Sequence, residues 1–285
     1  MKRCIVGVDR LRKFKIPIYI LMIFICISIG LWIWFDNLFY LFNFMYIGFL
    51  VSLGIFLLIK KYKYSRQVVQ FGVGLYMFIY LGLICRENMQ IEGFWYYLFM
   101  GVFQAAVIHY AVAKIIGPLL FGRGWCGYAC WTAAVLDLLP YRMPEKPRIK
   151  KLSFIRYIMF SGSILFVGVL FLLNNPDIEV VMFWSFIAGN IIYYAVGIIM
   201  AFILKDNRAF CKYICPITVF LKPASYFSLL RVKADSKKCI SCGKCKKVCP
   251  MNVDILDSKR SRENGTECIL CMECVKSCPK GAVYF

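Results

Sequence analysis

Twelve of the fifteen cysteines fall into two kinds of pattern, and both suit metal chemistry. "CISCGKCKKVCP" places Cys239, Cys242, Cys245 and Cys249 ahead of Pro250, and "CILCMECVKSCP" places Cys268, Cys271, Cys274 and Cys278 ahead of Pro279. Each run reads C-x2-C-x2-C-x3-C-P, so three closely spaced thiolates can wrap one corner of an iron–sulfur cubane while short turns aim backbone N–H groups at its sulfurs. The second kind is a pair four residues apart. "GRGWCGYACW" carries Cys126 and Cys130, and "NRAFCKYICP" carries Cys211 and Cys215.

The double run resembles a two-cluster bacterial ferredoxin. The fourth cysteine of each run then belongs to the other cluster. The resemblance thus implies one [4Fe–4S] cluster on Cys239, Cys242, Cys245 and Cys278, and a second on Cys268, Cys271, Cys274 and Cys249. Structural zinc is the alternative chemistry for C-x2-C pairs, but zinc needs neither three consecutive cysteines nor the C-P ending twice. So short a domain draws much of its folding energy from its clusters. It is expected to be α+β, with short helices after the motifs and "GAVYF" as a closing strand. Lys237, Lys238, Lys244, Lys246 and Lys247 flank the first motif, either as a solvated face near anionic lipid or as a docking surface for an acidic redox partner.

The two Cys-x3-Cys stretches share more than cysteines. Arg123-Gly-Trp125-Cys126-Gly-Tyr128-Ala-Cys130 aligns with Arg208-Ala-Phe210-Cys211-Lys-Tyr213-Ile-Cys215, giving Arg-x-aromatic-Cys-x-Tyr-x-Cys twice. Each copy closes a pair of apolar segments and precedes a short apolar stretch, which marks an internal repeat. Residues i and i+4 share a helix face, so each pair presents two sulfurs together. Two copies can supply the four thiolates of a further iron–sulfur centre; thiol–disulfide chemistry and plain packing are the alternatives. Arg123 and Arg208 would offset the charge of such a site or reach lipid phosphates, and Trp125 and Phe210 would otherwise serve as interface anchors.

What must hold these motifs is apolar. The chain is 285 residues long and 61% hydrophobic, with a mean hydropathy of +0.69. Six apolar runs, 17–35, 38–59, 68–85, 94–120, 153–173 and 180–204, are each long enough for a membrane-spanning helix. The net charge of +20 is segregated. Lys and Arg crowd the N-terminus, "KKYKYSR", residues 123–151 and everything after Leu204, whereas the turns between hold Asp36, Glu87, Glu92, Asp177 and Glu179. By the positive-inside rule both termini and the basic loops are cytoplasmic. The expected architecture is an all-α membrane bundle (1–230) with two cytoplasmic-face Cys-x3-Cys motifs, followed by a cytoplasmic two-cluster ferredoxin domain (231–285). The charge reads as topology and lipid attraction rather than nucleic-acid binding. The first span reads as an uncleaved anchor, since its core is too long for a signal peptide. Cysteines facing a reducing cytoplasm favour metal ligation over disulfides.

Taken together, the two Cys-x3-Cys motifs and the ferredoxin-type tail resemble the membrane polyferredoxins of the NapH/NosR type across residues 94–285. That resemblance implies an electron carrier of the bacterial or archaeal inner membrane, with quinol as one donor. Trp131 stands after Cys130 where the family has proline, as Pro216 does after Cys215; no C-x-x-C-H haem site and no FMN-attachment domain are present.

A soluble ferredoxin, a flavodoxin or a reductase subunit is an equally physical partner, and the direction of flow is open because cluster potentials range so widely. Two other classes compete: an assembly or regulatory protein that reduces a metal or disulfide in another enzyme, and a transporter with a ferredoxin sensor, which would call for broken helices and charged groups at mid-membrane depth. His109, the one histidine, is a candidate quinone or proton contact or a hydrogen-bonding residue of the bundle. Asp137 is either a proton acceptor or a solvated carboxylate. Cys4, Cys26 and Cys85 have no partner pattern, and there is no nucleotide loop, catalytic triad or paired-carboxylate site.

Overall fold

The structure is a computed structural model that describes residues 2–60, 62–103, 106–256 and 265–285, with backbone alone for 2–14, so the side chain of Cys4 lies outside the described residues. Two compact units divide the chain at Leu75/Tyr76. The boundary expected at 231 falls inside the second unit.

The first unit is helical. Lys2–Phe35 and Leu38–Ile59 form a hairpin whose turn uses Asp36 at φ 48 and Asn37 as cap, the Asn37 Oδ1 accepting from Phe39 N at 2.9 Å. Ser52 Oγ donates to the Pro17 carbonyl at 2.7 Å, a polar tie between two apolar surfaces.

Five helices among the described residues are long and apolar enough to cross a membrane: Lys15–Phe35, Leu38–Ile59, Ser65–Ile84, Lys150–Leu172 and Ile178–Leu204. The continuous helix expected over 94–120 is not among them. The chain there forms Ile91–Phe99, then turns, then resumes as an apolar helix over Ala106–Phe121. The cause lies at Gly101, which takes φ +70 and closes the first segment with bonds from its own N–H to Leu98 O and from Val102 N to Tyr97 O. A left-handed glycine just past the last turn is a common helix stop.

In the second unit the loop 86–90 is tied to the Ile178–Leu204 helix by Asn88 Nδ2, which donates to Met182 O at 2.9 Å and Ser185 Oγ at 3.0 Å. Ile91–Phe99 packs on Ile155–Leu172 through an aromatic cluster of Phe94, Trp95 and Phe160, reinforced by Trp95 Nε1 donating to Ser163 Oγ at 3.0 Å.

The repeat read from the sequence has one local fold. Arg123 and Arg208 each precede a one-turn helix, Gly124–Tyr128 and Ala209–Tyr213, and the second cysteine follows two residues later. Short helices then run over Trp131–Leu136 and Thr218–Tyr226. Beyond them the tail is closed by a two-residue antiparallel ladder, Lys233↔Tyr284 and Ala234↔Val283, with short helices over Lys244–Lys247 and Glu273–Ser277.

Candidate iron–sulfur centres and their junction

The tail is itself two-fold repeated in backbone conformation. Ser241, Gly243 and Asn252 take φ of 53, 69 and 53; Leu270, Met272 and Gly281, at the matching places after Cys268, take 52, 61 and 59. Left-handed residues of this kind turn successive N–H groups inward, which makes a concave site for negative charge. The bonds follow. Ser241 N donates to Cys239 Sγ at 3.4 Å, Val253 N to Cys249 Sγ at 3.3 Å and Ala282 N to Cys278 Sγ at 3.2 Å.

Two pockets result. Cys239, Cys242, Cys245 and Cys278 line one, and Cys249, Cys268, Cys271 and Cys274 line the other. Among the described residues no three His, Cys, Asp or Glu side chains stand close enough to hold a single metal ion. Four sulfurs around a hollow suit a cubane in which each thiolate takes a different iron. Burial pushes the Cys268 and Cys274 thiols up to about 12, with neighbouring thiolates adding to it. Cys278 is instead held below the ordinary thiol value, first by the Val283 N–H and then by those of Ala282, Lys280 and Gly281.

The second pocket rests against the first Cys-x3-Cys motif. Cys126, Leu221, Cys249, Met251, Val253 and Ile269 form one buried cluster, with Cys268 and Cys271 at its edge. Gly127 makes this approach possible, because a Cβ there would lie 2.3 Å from the Ile269 carbonyl oxygen. Next to it Tyr128 OH donates to Leu270 O at 2.9 Å.

The four cysteines of the two Cys-x3-Cys motifs, together called the mouth, lie in one region. Cys130, Cys211 and Cys215 share a cluster with Phe210 and Tyr193. Burial raises the Cys211 thiol to about 11, with Arg208 opposing and the thiolates of Cys130 and Cys126 adding; burial and the thiolates of Cys211, Cys126 and Cys130 raise Cys215. The two copies brace each other across a pseudo-two-fold. Arg123 Nη2 donates to the Cys211 carbonyl at 3.3 Å, and Arg208 Nη1 donates to the Cys126 carbonyl at 3.0 Å. Arg208 also lies 3.9 Å from Cys211 Sγ.

Both arginines are fully buried, so neither reaches lipid phosphates. Asp137 is neither solvated nor free as a base: it takes a forked pair from Arg208, Nε to Oδ1 at 2.7 Å and Nη2 to Oδ2 at 2.6 Å. Trp125 is half-buried, its ring 5.0 Å from His109 and 4.6 Å from the Lys114 ammonium. His109 Nε2 is buried without a hydrogen-bond partner among the described residues.

Glu267, immediately before Cys268, is the residue that sequence reasoning missed. It is 1% exposed and takes ion pairs from Arg123, from Arg148 at 3.0 Å, from Arg156 at 3.4 Å and from Lys222 at 3.2 Å. Burial opposes its charge, yet Arg123, Arg148, Arg156 and Lys222 together hold its carboxyl down to about 2. A further buried cation, Lys212, pairs with Asp206 at 2.7 Å and bonds Asn252 of the tail. The available signal was contrast: the first motif has Lys238 where the second has Glu267.

Among the described residues, Arg123, Arg148, Arg156 and Lys222 pair with Glu267, Arg208 with Asp137 and Lys212 with Asp206, so six cations share three carboxylates. Neutral thiols or a disulfide would leave buried cations uncompensated, which is costly. A thiolate-ligated iron–sulfur cluster carries net negative charge and would offset part of this excess, so the residues fit an anionic cluster.

Comparison with known proteins agrees with these patterns. A family model described as a 4Fe-4S binding domain matches twice, over residues 103–150 and 183–234, at the two copies of the repeat. One described as a 4Fe-4S dicluster domain matches residues 231–279. The uncharacterized protein MJ0749 of Methanocaldococcus jannaschii is 26% identical over 231 residues, covering 78% of this chain and 86% of the relative. Two further relatives carry descriptive names. YccM of Escherichia coli, named as an electron transport protein, is 24% identical over 173 residues, 53% of this chain and 48% of its own length. The methylamine utilization ferredoxin-type protein MauN of Methylobacillus flagellatus is 26% identical over 142 residues, 46% of this chain and 50% of its own length. The chain therefore spans about half of each of those two. No solved structure matches.

Proposed function

We propose that this chain is a membrane-anchored electron-transfer protein with an ordered relay: the Cys239 pocket, then the Cys249 pocket, then a third iron–sulfur centre on Cys126, Cys130, Cys211 and Cys215. The observation that carries the reading is the seating of Cys249, Met251 and Ile269 directly on Cys126, which leaves a short buried path between the second pocket and the mouth thiols. Bound [4Fe–4S] clusters would supply one-electron chemistry. The protein's own part is positional. Gly127 lets the tail approach, Glu267 and Lys212 fix its orientation, and the crossed arginines hold the two thiol pairs together. The five apolar helices and the segregated basic loops support a bundle with the tail on the cytoplasmic side. A quinol within the lipid is the partner that the polyferredoxin resemblance suggests for the mouth.

Iron, acid-labile sulfide and dithionite-bleachable absorption should be measured on the anaerobically purified full chain and on Cys245→Ser and Cys274→Ser variants. Each variant should lose the absorption of one tail cluster and keep the other. A chain that holds zinc, or no labile sulfide, would overturn the reading.

A further inference from the structure

The two-fold repeat within the tail has two equivalent faces, and among the described residues one of them is covered while the other is exposed. Around the second pocket the face presents Ile269, 2% exposed and buried on the mouth; its counterpart beside the first pocket, Ile240, is 57% exposed. Cys242, counterpart of the half-buried Cys271, is exposed too. The backbone is the same in both halves, as the matched left-handed residues show.

The charge is not the same. Glu267, which the mouth grips with four cations, corresponds to Lys238; Glu273 corresponds to Lys244; Met251, in the buried cluster, corresponds to Lys280. All three lysines are exposed. Asp235 and Asp254 are the acids at this face among the described residues, and they pair with Lys238 at 3.6 Å and Lys246 at 2.6 Å, leaving Lys244 and Lys280 at the pocket rim without a carboxylate partner. A face that meets a basic surface through a carboxylate has, on its twin, become a face suited to an acidic surface.

We propose that the face formed by Ile240, Lys238, Lys244 and Lys280 is the docking site of an acidic one-electron carrier protein. This rests on the relay reading and adds its outer terminus. In the forward sense the carrier loses one electron and the Cys239–Cys242–Cys245–Cys278 centre gains it; no bond or proton need move. Exposed lysines act chiefly on encounter, so the signature is rate and salt dependence rather than fold.

The test uses the full chain in nanodiscs and a photoreduced acidic flavodoxin as probe. Zero-length carbodiimide cross-linking, mapped by mass spectrometry, reads docking independently of electron transfer, and stopped-flow absorbance reads cluster reduction. Cross-links should fall on Lys238, Lys244 and Lys280 and not on Lys276. Lys238→Glu/Lys244→Glu/Lys280→Glu should slow reduction by about tenfold or more at low salt, with the gap closing as salt rises. Dithionite bleaching should be unchanged, which shows that the variant is folded and loaded.

Equal rates in a loaded triple variant, or wild-type cross-links that fall elsewhere than on Lys238, Lys244 and Lys280, would overturn the docking site and leave the relay intact. Loss of the chain's affinity for anionic vesicles with no effect on the flavodoxin would reassign the lysines to lipid and overturn it equally. A wild-type chain with no bleachable clusters would instead defeat the relay itself.

Discussion

The two copies of the mouth motif share a fold but face different neighbours. Copy one looks at the tail: Arg123 pairs with Glu267, Gly127 admits the Ile269 carbonyl and Tyr128 binds Leu270 O. Copy two looks mostly at the basic loop and at copy one: Arg208 pairs with Asp137, and Tyr213 OH accepts from Ile149 N at 3.0 Å. The position that differs most in character, Gly127 against Lys212, serves the same end by opposite means. One removes a side chain so that the tail can approach; the other extends an ammonium to Asn252. The repeat supplies a symmetric cradle for thiols, and its departures from symmetry are where the ferredoxin-like tail is attached.

The largest disturbance should come from the charges that both copies bury. Glu267→Gln leaves four cations facing a neutral amide, and losing one partner of a buried ion pair costs about 3–5 kcal/mol. Released tail, read by limited proteolysis after residue 231, is the expected outcome, whereas Lys238→Gln at the twin position should change stability by less than about 0.5 kcal/mol. Arg208→Gln should cost a similar 3–5 kcal/mol by stranding Asp137, but its damage should appear in thermal unfolding of the bundle and in the mouth signal rather than in tail release.

Gly127→Ala is expected to be intermediate. Overpacking against the Ile269 carbonyl should cost about 1–3 kcal/mol and raise hydrogen exchange at 268–271, while Ala209→Ser in copy two should leave those amides protected. Tyr128→Phe should be the mildest, about 0.5–1.5 kcal/mol for one hydrogen bond, visible as faster exchange in the same segment.

Much of the candidate site was legible from spacing alone, because thiolate chemistry constrains both residue type and interval. The two runs of four and the aligned Cys-x3-Cys stretches are such signals. The helix expected over 94–120 misled because hydropathy averages over a window and a single left-handed Gly101 within it carries no hydropathic signal. Glu267 and Asp137 were illegible for a related reason. A carboxylate looks like surface until the cations that surround it are known, and Arg148, Arg156 and Lys222 come from three separate segments. The crossed arginines were anticipated as residues near the thiols, but the carbonyls they would bind depended on how the copies meet.

Removing the tail is a poor way to isolate the mouth, since it would take Glu267 away from four cations, two of them fully buried, and uncover the cluster around Met251 and Ile269. The direct measurement keeps the chain whole: iron and acid-labile sulfide per chain for wild type and for Cys126→Ser/Cys211→Ser. With four irons in each cubane, the relay predicts about twelve for wild type and about eight for the double variant. About eight in both would leave a tethered two-cluster ferredoxin and contradict a third centre at the mouth.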